Sequence, residues 1–302
     1  MRLKQQKIAN IQKTWLIMTV FFLLVIGLGW FVSGYTQSPQ FVYYFAGFAI
    51  LMNIGSFFFS DKVALKMSGA KEVTYEEQPE LYTAIKNLTQ SAKMPMPRVC
   101  VIQDSAPNAF ATGRSPSKSA VAVTTGLMNI LDKNELNGVL AHELSHINNR
   151  DVLVMTIAVV LVGFLSMIAD MFWYSNLFGG RDSENNSGAM GMAIGIGLMI
   201  LAPLAGTLMQ MAVSRKREFL ADASGAEMTH NPEGLASALE KISGAGLQMQ
   251  KANHATAHLY IANPFGGTGR RGKRGTFGNL GKFFSTHPPV EERVNALRGR
   301  RM

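Results

Sequence analysis

Four stretches of this chain are long, apolar and almost free of charge: residues 15–32, 41–59, 152–174 and 189–213. Each is near the roughly 20 residues that a helix needs to cross the hydrocarbon core of a bilayer. The whole chain agrees, with 47% hydrophobic and only 16% charged residues among 302, against about 25% charged in ordinary soluble domains. Membrane-spanning helices therefore set the frame into which everything else must fit.

The first run follows a basic leader, as a signal peptide would, but it is too long for a signal core and no small-residue cleavage site comes after it. It reads as a retained anchor, paired with the second run across the short polar turn GYTQSPQ. Positive residues beside membrane spans are biased toward the cytoplasm. Arg2, Lys4, Lys7 and Lys13 precede the first span, and Lys62, Lys66 and Lys71 follow the second. The loop SNLFGGRDSENNSG carries one Arg against Asp182 and Glu184, whereas SRKR follows the last span. Both termini and both polar segments are expected in the cytoplasm of a multi-pass inner-membrane protein.

The expected fold is thus an integral membrane protein, mainly α-helical with a small β-sheet. It has an N-terminal hairpin (residues 1–59), a first polar segment (60–151), a second membrane hairpin (152–213) and a second polar segment (214–302). The two polar segments are expected to build one domain. The first offers a helix in QPELYTAIKNLTQSA, strand-like PRVCVIQD, then NAFATG and SAVAVTTGLM around a polar turn, and the helix NELNGVLAHELSH; the second is mostly helical. Cys100 is the sole cysteine, which excludes an internal disulfide, and in its strand it reads as a buried, inert thiol. The net charge of +9 suits anionic lipid at a cytoplasmic surface and needs no nucleic-acid partner. Residues 266–281, rich in Gly and Arg, read as a flexible loop.

Within AHELSH, His142 and His146 stand four apart, so a helix projects both imidazoles from one face about a turn apart. Leu136, Val139, Leu140, Leu144 and Ile147 give that helix a buried stripe, and Asp132 or Asn134 could cap it. Glu143 is placed to act on a water beside an ion held by the two histidines. A catalytic zinc needs a third protein ligand, commonly a Glu. Glu218 in SRKREFLADASGAE is a candidate, with Asp222 one turn on able to fix a ligand tautomer. An ion pair with Arg215 or Arg217 would equally explain Glu218. His254 and His258 repeat the four-residue spacing without an adjacent Glu, and read as surface histidines. Asp170, near the outer end of the third run, reads as snorkelling or paired.

AHELSH at the entry to a membrane span, then SRKREFLADASGAE after another, then STHPPVEERVNAL near the end, together resemble the HtpX family of membrane zinc metalloproteases. More distantly they resemble the CaaX prenyl proteases of the same gluzincin group. The resemblance spans nearly the whole chain and implies a zincin-like cytoplasmic protease domain binding one zinc ion. It implies Glu218 as the third ligand, Asp222 as a supporting carboxylate and His287 as a group stabilising the oxyanion; from the residues alone His287 reads as a loop histidine before Pro288. It also implies that Asn108, Ala109 and Phe110, within PNAFATG, form an edge strand beside the peptide to be cut. Expected substrates are misfolded membrane proteins or unfolded polypeptides, in quality control or a stress response, with a regulatory membrane-protein complex as a possible partner. Two alternatives stand beside this reading: a dedicated CaaX-type processing protease, and a membrane scaffold with an incidental metal site.

Overall fold

The computed structural model describes residues 3–178, 212, 214–251, 256–265 and 288–299. Its first two elements are long apolar helices, α1 (Leu3–Thr36) and α2 (Gln40–Met67), joined by a tight turn and packed on each other. Ile17, Phe21 and Val25 follow one another at four-residue steps along the inner face of α1 and are buried. The outer faces carry Trp30, 74% exposed, and Tyr43, 76% exposed, with Leu23, Leu51 and Ile54 also bare. So much apolar surface without a protein partner is what lipid covers.

Between residues 71 and 124 the chain forms a four-stranded mixed sheet: β1 (Lys71–Glu72), β2 (Arg98–Ile102), β3 (Ala109–Ser115) and β4 (Lys118–Thr124), in the order β1-β2-β4-β3. The β2–β4 pair is parallel and the other two are antiparallel. Around it lie α3 (Pro79–Ser91), α4 (Thr125–Ile130), α5 (Lys133–Asn148) and α6 (Asp151–Phe178), and after the second polar segment begins, α7 (Arg215–Thr229), α8 (Pro232–Ala245) and α9 (Val290–Leu297).

The alternation of strand side chains divides the interior in two. Val99, Val101, Ala109, Ala111, Val121 and Val123 point into a core shared with α3, α5 and α8. Cys100, Ile102, Phe110, Ala120 and Ala122 point the other way, into a core shared with α1, α2 and α6. The sheet is therefore the layer through which the polar domain sits on the membrane helices. Burial pushes the Cys100 thiol up to about 11, in keeping with an inert core residue.

Among the described residues, two helices are long and apolar enough to span a bilayer, at residues 5–34 and 40–67, and a third is added if α5 and the start of α6 are counted as one bent span. The fourth apolar run, except Ala212, lies outside the described residues, and the side chain of Asp170 is likewise undescribed. Four membrane helices thus reduce here to two, or up to three, in the described part.

Candidate metal centre

Helix α5 starts where its sequence dictates. The Asp132 carboxylate accepts from the Asn134 and Glu135 backbone amides, while Glu135 accepts from the Asp132 amide, a complete capping box. Glu135 also takes hydrogen bonds from Ser237 Oγ and Lys241 Nζ, at 2.6 and 2.7 Å, which ties the start of α5 to α8. Farther along, α5 approaches α7 so closely that a Cβ on Gly225 would stand 3.0 Å from the His142 amide nitrogen. Any larger residue would push the two helices apart by a few tenths of an ångström, so the glycine helps bring their side chains to one point.

At that point three donor groups converge. His142 Nε2 lies 3.2 Å from His146 Nε2 and 3.8 Å from Glu218 Oε2, and His146 Nε2 lies 3.5 Å from Glu218 Oε1. All three residues are buried. Two ligands at about 2.1 Å in tetrahedral array stand roughly 3.4 Å apart, so these separations fit a single small divalent ion. Glu218 sits in the first turn of α7, where the helix dipole favours a carboxylate. Arg217, one candidate ion-pair partner for Glu218, instead extends its Nη1 to within 3.5 Å of Asp151 Oδ1.

Both imidazoles are gripped from behind. Asp222 Oδ1 is 2.9 Å from His142 Nδ1, and Asp151 Oδ2 is 3.2 Å from His146 Nδ1. Each contact holds a proton on Nδ1 and leaves Nε2 facing the centre, as a carboxylate–histidine–metal triad requires. Asp222 is held in turn by Arg293 of α9, whose Nε and Nη2 donate to its two oxygens at 2.8 and 2.6 Å. Neither Asp151 nor Arg293 was expected from the sequence. Asp151 stands at the start of an apolar run, five residues after His146, and that position was its only signal.

Burial pulls His142 down to about 4. Burial also opposes charge on His146, but the carboxylates of Glu218, Asp151 and Glu143 outweigh it and raise that histidine to about 9. Below pH 9 a proton and a cation therefore compete for the same Nε2. Cation binding should release about one proton, so apparent affinity should rise about tenfold per pH unit from 7 toward 9 and then level off. Chelator-buffered titrations at several pH values measure this; a flat profile between pH 7 and 8.5 would mean that His146 is neutral before the ion arrives.

Glu143 is buried and lines a cleft together with His142, His146, Ala111, Val152, Met155 and Leu259. The edge expected to meet a substrate is arranged differently from the sequence reading. Ile261 N–H donates to the Ala109 carbonyl at 2.9 Å, Phe110 pairs with Tyr260, and Asn108 exchanges hydrogen bonds with the Ala262 backbone. Residues 108–110 are thus occupied by the chain itself, and Ala111 is the β3 residue that faces the cleft. By strand alternation its carbonyl points the same way as that of Ala109. The same segment corrects the surface reading of His258, which is buried; His254 and His287 lie outside the described residues.

Residues 75–301 match Peptidase family M48. The chain belongs to that family. Its relatives include the protease HtpX homologs of Sulfurihydrogenibium sp., 43% identical over 96% of this chain and 95% of that one, and of Pyrococcus abyssi, 41% identical over 95% and 94%. That of Syntrophobacter fumaroxidans is 46% identical over 83% of this chain and 86% of its own. Among solved structures, S. mikatae Ste24p superposes with a TM-score of 0.50 at 18% identity, covering 97% of this chain and 66% of that one. As an M48 peptidase of the HtpX kind with apolar helices, the chain is a membrane metalloendopeptidase.

Proposed function

We propose that this M48 peptidase is a zinc endopeptidase that cuts misfolded or damaged membrane proteins where they emerge at the cytoplasmic face of the inner membrane. One observation carries the reading: His142, His146 and Glu218 converge beside Glu143 at the junction of the polar domain with the membrane helices. Their two-imidazole, one-carboxylate donor set suits zinc with one position open. The positive residues around the first hairpin and after the last apolar run support a cytoplasmic site.

Bound zinc supplies the Lewis acidity that makes water nucleophilic near neutral pH and polarises a peptide carbonyl. Glu143 takes the proton from the attacking water and later delivers it to the leaving amine. Asp222 and Asp151 keep the two imidazoles in the tautomer that faces the centre. A substrate backbone lies against β3 at Ala111, beyond the stretch that residues 260–262 already occupy, and His287 donates to the oxyanion. Recognition through main-chain groups tolerates many side chains, which fits quality control better than a single processing signal.

The test is purification of the full chain in detergent with a chelator, followed by graded addition of zinc and an assay on casein and on a destabilised membrane protein. Cleavage that appears only with zinc, and proceeds faster on the destabilised form than on its folded parent, is expected. Zinc-independent cleavage, or equal rates on both forms, would overturn the proposal.

A further inference from the structure

We infer that Asn10, near the start of the first membrane helix, is a positioning residue for the metal ligand His146, acting through Asp151. The inference rests on the metal assignment proposed above.

Helix α1 begins well before its apolar stretch, and this extension carries Asn10 into the protein, where it is only 3% exposed. Asn10 Nδ2 donates to Asp151 Oδ1 at 2.7 Å and to the Asn149 carbonyl at 2.9 Å. The other oxygen of Asp151 stands 3.2 Å from His146 Nδ1. On its acceptor side, Asn10 Oδ1 receives Arg217 Nη1 at 3.4 Å. Both ends of one amide are thereby matched to partners of opposite character, a carboxylate on one and a guanidinium on the other. A buried amide costs free energy unless it is satisfied in this way, and an aliphatic side chain would fill the same volume more cheaply.

The position of these partners gives the contact its consequence. Asn149 and Asp151 bracket Arg150, which has a positive φ of 62°, at the 82° bend between α5 and α6. Asp151 opens α6, so its carboxylate is drawn toward the amides of that helix as well as toward His146. A carboxylate held at one oxygen can swing; Asp151 Oδ1 has Asn10 Nδ2 at 2.7 Å and Arg217 Nη1 only at 3.5 Å, so the amide is the closer grip that keeps the second oxygen on the imidazole. Arg217 immediately precedes Glu218, so the same amide also touches the backbone neighbour of the third ligand. Lys7, one helical turn earlier, adds a 2.9 Å bond to Asn148 Oδ1. The first membrane helix is therefore built into the outer shell of the centre, and displacing α1 would loosen His146.

The test uses the full chain in detergent, in a Glu143→Gln background that prevents self-digestion. Cation affinity is read by chelator competition, and the geometry around the ion by the visible absorption of the cobalt-loaded protein. Asn10→Leu is expected to weaken binding by about tenfold, the low end of the range for partners that bond a ligand directly, and to alter the cobalt spectrum. Asn10→Asp should weaken it too, because the new carboxylate has no N–H to donate to Asp151 Oδ1. Ile17→Ala removes buried packing two helical turns from Asn10 but leaves the Asn10–Asp151 contact in place, and should lower thermal stability while leaving affinity and spectrum unchanged. Wild-type affinity and spectrum in Asn10→Leu would overturn the inference, as would an equal loss in Ile17→Ala. If Glu218→Ala and His146→Ala also retain full affinity, the metal assignment itself has failed.

Discussion

Replacing Glu143 by Gln is expected to lower peptide cleavage by about 10²–10⁴-fold, the range for loss of a general acid–base group, while the protein still binds one zinc ion. Glu143 is 3% exposed and lines the cleft between the two histidines of α5. Gln has nearly the same shape and still forms hydrogen bonds, but it cannot take a proton from water. The donors that hold the cation are His142, His146 and Glu218, and their Nδ1 supports come from Asp222 and Asp151, so none of the binding apparatus is changed. Metal content and cleavage rate, measured on one preparation, separate the outcomes. Near-normal cleavage would remove Glu143 from the chemistry; lost zinc would make it a ligand. A scaffold with an incidental metal helix would show no change in its function at all.

What could be read in the sequence follows the range of the interactions involved. Residues four apart on one helix are neighbours by geometry, so His142 and His146 were legible, as was the Asp132 and Glu135 box that starts their helix. Strands β2, β3 and β4 showed in runs of β-branched and small apolar residues bounded by turns. Interactions between residues distant in sequence left no such pattern. Asn10 and Asp151 stand 141 positions apart, and Asp222 and Arg293 stand 71 apart. Each sat in a context that gave no long-range signal: Asn10 among the lysines of a leader, Asp151 at the edge of an apolar run, Arg293 beside two glutamates in VEERVNAL. The cover over β3 escaped for another reason. Residues 256–262 have no period of their own and are held by backbone hydrogen bonds to Ala109 and by the Asn108 side chain.

Arg293 is the residue outside the ligand set whose loss should disturb the centre most. Its side chain is fully buried, and it binds both oxygens of Asp222. Burial alone would push the Asp222 carboxyl up, but the guanidinium, with help from His142, holds it down to about 2. In Arg293→Met the carboxylate keeps its burial and loses that partner, a change that costs about 3–5 kcal/mol in comparable buried pairs. Metal affinity should fall as well, by about tenfold, because Asp222 without Arg293 holds His142 less firmly. The pH dependence has a definite sign. A carboxyl at about 2 in the folded protein and about 3.9 unfolded contributes stability that is complete above pH 4 and is lost as pH falls toward 2. Without Arg293 the folded value rises, so that contribution fails at a higher pH. Adding Asp222→Asn to Arg293→Met removes the stranded charge and should recover part of the thermal stability but not the metal affinity, since an amide grips the His142 N–H less strongly than a carboxylate. Thermal unfolding in detergent and chelator competition, both run across pH 4–8, distinguish these effects. Wild-type stability and affinity in Arg293→Met would mean that α9 merely rests against the site, whereas the paired losses would make the C-terminal helix the lock on His142, opposite to the grip on His146 near the first membrane helix.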